Sequence, residues 1–174
     1  MFKVINGGMM PTRGTEFSAC VDLYANADIV IGAGETAVIP LGVCVDFSNL
    51  STDEHWREAF GRKEVFFKKS HYLQLELRSS LRAKGLQAGT GIIDLDYKDE
   101  ICLILSNPYT NKKQRVEVTN EYGQGIGCRF IESAGYKILK GDRIAQIMLC
   151  EHKSYLFGIE SQDVRNGGMG STDK

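Results

Sequence analysis

Arg78-Ser79-Ser80 offers what a bound phosphate needs: a forked cation, two short hydroxyl donors and backbone N–H groups at a strand end. On its own the triplet is equally a capped turn, because serine pairs are common where chains reverse. Other groups of related chemistry are spread along the chain. Asp22 interrupts the apolar run Cys20-Val21-Asp22-Leu23-Tyr24-Ala25. A carboxylate there either sits at a strand end accepting backbone hydrogen bonds, or faces a cation or a phosphate-bound metal. Gln146 is a lone amide among apolar neighbours, and its partners are either cross-strand backbone groups or a ligand. Asp94 and Asp96 lie beside Tyr97 in the tip of residues 89–107, which read alone is a solvated acidic turn. Near the end, Arg165, Ser171 and Thr172 stand among Gly167, Gly168 and Gly170. That segment is either a donor-rich flap able to close over an anion or a disordered terminus.

The elements that must position these groups read mostly as strands. Residues 71–77 alternate, with Leu73, Leu75 and Leu77 on one face and Tyr72, Gln74 and Glu76 on the other, and they deliver Arg78. Residues 89–107 predict a β-hairpin, with apolar arms 92–93 and 101–105 around a polar turn. A first strand is expected over 2–5, a loop over 7–14, and a hairpin-like pair from 29–31 and 36–47 around Gly32-Ala33-Gly34. Residues 115–119 read as a strand, with Gly123, Gly125 and Gly127 in a loop or bulged ribbon. Residues 137–140 and 144–150 read as strands joined by a turn at Gly141-Asp142. The run Gly123-Gln124-Gly125-Ile126-Gly127 is not a nucleotide loop, because no helical pattern follows it. Ser51 as N-cap, Glu54 three residues on, and Trp56, Ala59 and Phe60 on one face predict a short amphipathic helix over about 52–60. Trp56 reads there as a packing anchor.

Bulk properties exclude several classes. A chain of 174 residues suits one domain with a real core. A net charge of -1 gives no electrostatic case for nucleic acid or a membrane surface. No apolar run reaches membrane-spanning length, and residues 1–5 are too short for a signal peptide. The five cysteines are odd in number, scattered and never spaced C-x-x-C, which reads as reduced thiols in a cytosolic protein.

In order along the chain, residues 18–25, 78–81, 89–97, 141–147 and 165–172 resemble the five motifs of the homotrimeric dUTPases (dUTP pyrophosphatases). Gly141-Asp142-Arg143-Ile144-Ala145-Gln146-Ile147 and Gly91-Ile92-Ile93-Asp94-Leu95-Asp96-Tyr97 carry the match most closely. The resemblance spans nearly the whole chain except about 48–70 and 109–136, which look like insertions. It implies a mainly β fold: a distorted jelly-roll β-barrel with one short helix over 1–160, and a flexible glycine-rich lid over 161–174. It further implies a cytoplasmic homotrimer (in the host cytoplasm if phage-encoded) with sites built from more than one chain. The implied reaction is hydrolysis of dUTP to dUMP and pyrophosphate, limiting uracil in DNA and supplying dUMP for thymidylate synthesis.

Residue by residue, the resemblance makes Asp94 the base that deprotonates the attacking water, with Asp96 structural in the turn. Backbone near Gly91 would read uracil, and Tyr97 would pack beneath the deoxyribose and exclude a 2′-hydroxyl. Arg78, Ser79, Ser80 and Gln146 would hold the phosphates. Asp22 would place Mg²⁺ through water. Arg165, Ser171 and Thr172 would grip the terminal phosphate, with Met169 and Gly170 in the lid over the base. Four residues depart from the pattern: Met169 replaces the stacking aromatic, Asn166 replaces a glycine with one residue fewer before Gly167, Asp99 stands where glycine follows Tyr-x, and Cys20 replaces a glycine. If the glycine at 99 needs positive φ, aspartate occupies it at a cost. Two alternatives stand beside this reading. The related dCTP deaminases need a glutamate ten residues after Asp94, where this chain has Ile104. A nucleotide-sensing regulator would bind a repressor through the insertions, as some phage members with an insertion near 109–136 do.

Overall fold

The computed structural model describes residues 1–46, 64–109, 114–131 and 135–159. Alternation in residues 71–77 does what the leucine spacing demands. In β7 (His71–Leu77), Leu73, Leu75 and Leu77 are buried, and Tyr72, Gln74 and Glu76 point outward. A one-residue slip would exchange the two sets, losing about 1.5–3 kcal/mol for each leucine exposed. β7 therefore fixes the register of the main sheet. That sheet has five antiparallel strands in the order β2 (Thr12–Arg13), β3 (Val21–Tyr24), β13 (Arg143–Glu151), β7, β8 (Gly91–Asp94).

Four two-stranded antiparallel ladders complete the described β structure. β1 (Phe2–Val4) pairs with β6 (Val43–Val45), and β4 (Ile29–Ile31) with β12 (Tyr136–Ile138). β5 (Thr36–Pro40) pairs with β9 (Cys102–Ser106), and β10 (Gln114–Thr119) with β11 (Gly125–Ile131). The core lies between the main sheet and these ladders: Leu23, Leu73, Ala145 and Ile147 meet Ile31, Ile39, Val43, Leu103 and Leu105. The mainly β expectation holds. Helix is confined among the described residues to α1 (Glu64–Ser70), the single turn α2 (Ser79–Arg82) and a 3₁₀ turn over Ser154–Phe157. The helix expected over 52–60, with Trp56, lies outside the described residues.

Two strand pairings differ from the sequence reading. The arms of 89–107 do not form a hairpin, since β8 pairs with β7 and β9 pairs with β5. The cause lies in the connection: Leu95 and Ile101 are both buried, and Ile101 exchanges hydrogen bonds with Leu41 and Val43 (3.0 and 2.8 Å). The chain thus crosses from one sheet to another instead of turning back. Residues 36–47 break at Leu41-Gly42, where Gly42 has φ +67°. β4 and β5 consequently take different partners. Gly141 (φ +89°) makes the expected turn, with its N–H on the Ala25 carbonyl at 2.8 Å. The strands on either side of it, β12 and β13, nevertheless belong to different sheets. Residues 114–131 are the bulged ribbon anticipated around Gly123, Gly125 and Gly127, with a register shift at Val118/Thr119.

Candidate functional site

β13 is the central strand of the main sheet, and the candidate phosphate residues gather where it pairs on both sides. Gln146 stands opposite Asp22 of β3 and opposite Glu76 of β7, so one row reads Asp22, Gln146, Glu76. The row faces outward because Leu23, Leu75, Ala145 and Ile147 take the core side. Asp22 faces cations: Arg78 Nε lies 3.2 Å from its Oδ1 and Arg143 Nη1 lies 3.5 Å from its Oδ2. The Asp22 side chain is only 14% exposed, against 28% and 53% for the arginines. Two guanidiniums thus balance a largely covered carboxylate while keeping edges open to solvent.

Arg78 is extended (φ -61°, ψ 142°) and starts α2. Its N–H donates to the Ile144 carbonyl at 3.1 Å, tying the helix start to β13. Ser79 and Ser80 occupy the first turn, exposed, where helical N–H groups lack intrahelical acceptors. Arg78, Ser79, Ser80, Gln146 and Asp22 therefore converge at one end of the sheet.

Asp94 does not join them within one chain. It ends β8 opposite Tyr72, while Glu76 and then Arg78 lie further along β7. Four residues separate Tyr72 from Glu76, about 13 Å along an extended strand. Tyr97 stays with Asp94, its N–H donating to the Asp94 carbonyl at 3.1 Å and its hydroxyl to the Glu100 carbonyl at 3.2 Å. Leu95 is buried, which anchors the loop and leaves Asp94 and Asp96 exposed on either side. Gly91 packs on Leu75: a Cβ there would lie 3.0 Å from Leu75 Cβ. Among the described residues only Asn6 is a non-glycine with positive φ (51°), so Asp99 carries no such strain. Arg165, Met169, Gly170, Ser171 and Thr172 lie outside the described residues.

Several residues of the site were not singled out by sequence reading. Arg143 sits within the motif around Gln146, yet was given no role. Glu76 was read as part of a polar face, but it accepts hydrogen bonds from Thr90 Oγ1 (2.9 Å) and Gln74 Nε2 (3.0 Å) and pairs with the Arg82 guanidinium. The Thr90 hydrogen bond, with Gln74 and Arg82 acting the same way, holds its carboxyl below the ordinary carboxylate range against the opposing effect of burial. With the folded pKa lowered, the stability Glu76 adds is complete above the ordinary carboxylate pKa. It is lost as pH falls through the lowered value. Glu100 clamps the Tyr97 loop, its carboxylate accepting from Asn6 Nδ2 (2.8 Å) and the Gly42 N–H (2.7 Å). No periodicity or motif marks these partnerships, since they join segments far apart in the chain.

Among the described residues no three His, Cys, Asp or Glu side chains are placed to cage a metal. A cavity of about 260 Å³ between β1, the Arg13–Cys20 segment and β13 contains none of the candidate phosphate or base residues. Among the described residues no helix is long and apolar enough to cross a membrane.

This mainly β arrangement, with an arginine-rich sheet end and an acidic, tyrosine-bearing loop, has solved counterparts. A Staphylococcus bacteriophage 80alpha dUTPase variant with dUpNHpp matches at TM-score 0.64 and 21% identity, over 98% of this chain and 90% of that one. The dUTPase of phage phi11 of S. aureus, solved to visualise its species-specific insert, matches at TM-score 0.63 and 18% identity, over 97% of both chains. The fold is therefore the dUTPase fold. No family model matches the chain. In sequence it is 28% identical over 173 residues to the dUTPase of Candida glabrata, covering 96% of this chain and 90% of that protein. It is 27% identical over 174 residues to the rabbitpox virus dUTPase, covering 98% and 89%. In sequence as in fold, the chain is similar to the dUTPases.

Proposed function

We propose that the protein is a dUTP diphosphatase, hydrolysing dUTP to dUMP and pyrophosphate in the cytoplasm. The observation that carries this reading is the pairing of an outward Arg78–Asp22–Arg143 cluster beside Gln146 with an exposed Asp94 next to Tyr97. One end offers cations and hydroxyls to a phosphate chain, and the other a carboxylate beside a ring. Asp94 accepts the proton of a water as its oxygen bonds to the α-phosphorus. The bridging P–O bond breaks and pyrophosphate leaves, its charge met by Arg78, Ser79, Ser80 and Gln146. Tyr97 packs under the deoxyribose, and the backbone at Gly91 reads uracil. When bound, Mg²⁺ would neutralise phosphate charge, held beside Asp22 through water.

The separation of the two halves along β7 favours a site shared between chains, because one chain holds Asp94 too far from its own Arg78 end. We assign the assembly as a homotrimer, with residues 161–174 of one copy closing over a neighbour's nucleotide through Arg165, Met169, Gly170, Ser171 and Thr172. A second reading adds a regulatory protein partner. It is favoured by the β10–β11 ribbon, which among the described residues pairs with no other strand and exposes Tyr122 (78%) and Ile126 (64%). Deamination of dCTP is not proposed, because Ile104 has no proton to carry and sits on β9 opposite Val38.

Pyrophosphate release tests the reading, assayed with dUTP, dCTP, dTTP and UTP at equal concentration, with and without Mg²⁺. Release from dUTP alone, strengthened by Mg²⁺, is expected. Tight dUTP binding without release would make the protein a sensor, and ammonia from dCTP would overturn the assignment.

A further inference from the structure

Glu76 is a multiply bonded carboxylate of the main sheet that the proposed chemistry leaves without a task. Its side chain is 14% exposed and sits in the row with Gln146 and Asp22. One oxygen, Oε1, takes hydrogen bonds from Gln74 Nε2 of its own strand and from Thr90 Oγ1, the residue immediately before Gly91. The other, Oε2, pairs with Nη2 of Arg82, the last residue of α2, whose first two residues are Ser79 and Ser80. Arg82 is fixed from a second side by its Nε on the Leu77 carbonyl at 3.2 Å. Thus one carboxylate touches the helix that presents the phosphate hydroxyls and the residue that leads into the base-reading strand.

We infer that Glu76 is a positioning residue that locks the start of β8 to the phosphate-binding turn, Thr90 and Arg82 being the two arms of one clamp. The inference rests on the dUTPase reading, in which Gly91 and Arg78-Ser79-Ser80 contact nucleotide. A carboxylate suits this place better than a neutral acceptor. It accepts the Thr90 hydroxyl and opposes the Arg82 charge at once, and charged hydrogen bonds hold geometry more tightly than neutral ones. Because one chain gives its β8 end and its α2 end to different pockets of the assembly, the clamp ties one pocket's base half to its neighbour's phosphate half.

The test is a set of double-mutant cycles on full-length protein, reading kcat/KM for dUTP. Thr90→Val and Arg82→Met are each expected to lower kcat/KM by about tenfold, and together by less than the product of the two effects. In a Glu76→Ala background neither should lower it further by more than about twofold. Glu76→Gln still accepts from Thr90 but has no charge for Arg82, so there Thr90→Val keeps part of its effect, as it does in Arg82→Met, and Arg82→Met loses its own. This isosteric variant keeps the test valid if the alanine variant does not fold. Thr90→Val or Arg82→Met retaining its full effect in the Glu76→Ala background, or Arg82→Met retaining it in Glu76→Gln, overturns the inference, as does a Glu76→Ala protein that is less heat-stable with unchanged kcat/KM.

Amide exchange over Gly91–Asp94 reads the same clamp without turnover. Arg82→Met should speed exchange there when Glu76 is present and not in Glu76→Gln. Equal exchange in the presence of Glu76 overturns the clamp even in an active enzyme. A wild type that releases no pyrophosphate from dUTP overturns the functional reading instead, and the exchange result then decides the clamp by itself.

Discussion

Asp94→Asn is expected to lower dUTP turnover by at least about 10²-fold, the low end of what a positioned general base contributes. Asparagine keeps the shape and one acceptor oxygen of the carboxylate but cannot take a proton from water. Affinity for a non-hydrolysable dUTP analogue should change by no more than about threefold, since the base acts in the transition state and not in ground-state binding. The position explains why the fold should tolerate the change. Asp94 is exposed at the end of β8, and the adjoining loop is anchored by buried Leu95 and by Glu100. Steady-state kinetics with calorimetric binding of the analogue checks both halves. Full turnover in Asp94→Asn would move the base elsewhere.

Gly42→Ala should produce a large stability loss. Gly42 has φ +67°, and a Cβ there would lie 2.4 Å from Gly8 Cα and 2.9 Å from Asn26 Cγ. The left-handed conformation costs a side chain about 1–2 kcal/mol, and forcing apart close backbone adds about 1–3 kcal/mol. A loss of about 2–5 kcal/mol is a large share of the stability of an ordinary domain. The damage should also reach function. The Gly42 N–H holds Glu100 at 2.7 Å, and the Glu100 carbonyl accepts the Tyr97 hydroxyl. Discrimination between dUTP and UTP should therefore weaken in whatever fraction stays folded. Urea unfolding is the check: a lowered midpoint with unchanged slope is expected, and a midpoint equal to wild type would show that the contact relaxes freely.

What was legible in the sequence follows from what each signal encodes. Alternation in residues 71–77 sets which side chains face the core, and that face is the one observed for Leu73, Leu75 and Leu77. Asp22 interrupts an apolar run, which left open what it meets; in the structure it meets the guanidiniums of Arg78 and Arg143. Alternation does not say which strand lies alongside. That choice is made by non-local hydrogen bonds such as those joining Ile101 to Leu41 and Val43, so β8 and β9 were misread as partners. Glu76 and Glu100 escaped notice for a related reason. Glu100 takes its carboxylate partners from Asn6 and Gly42, and Glu76 reaches Thr90 across the strand pair. The motif resemblance went further than periodicity, because ordered motifs carry family identity without needing the pairing to be known.

The most direct test of the central claim is to let the protein turn over dUTP in heavy-oxygen water with Mg²⁺ and to weigh the products. Attack of an Asp94-activated water on the α-phosphorus places one heavy oxygen in dUMP and none in pyrophosphate. Label in pyrophosphate, or products dUDP and inorganic phosphate, would contradict the account.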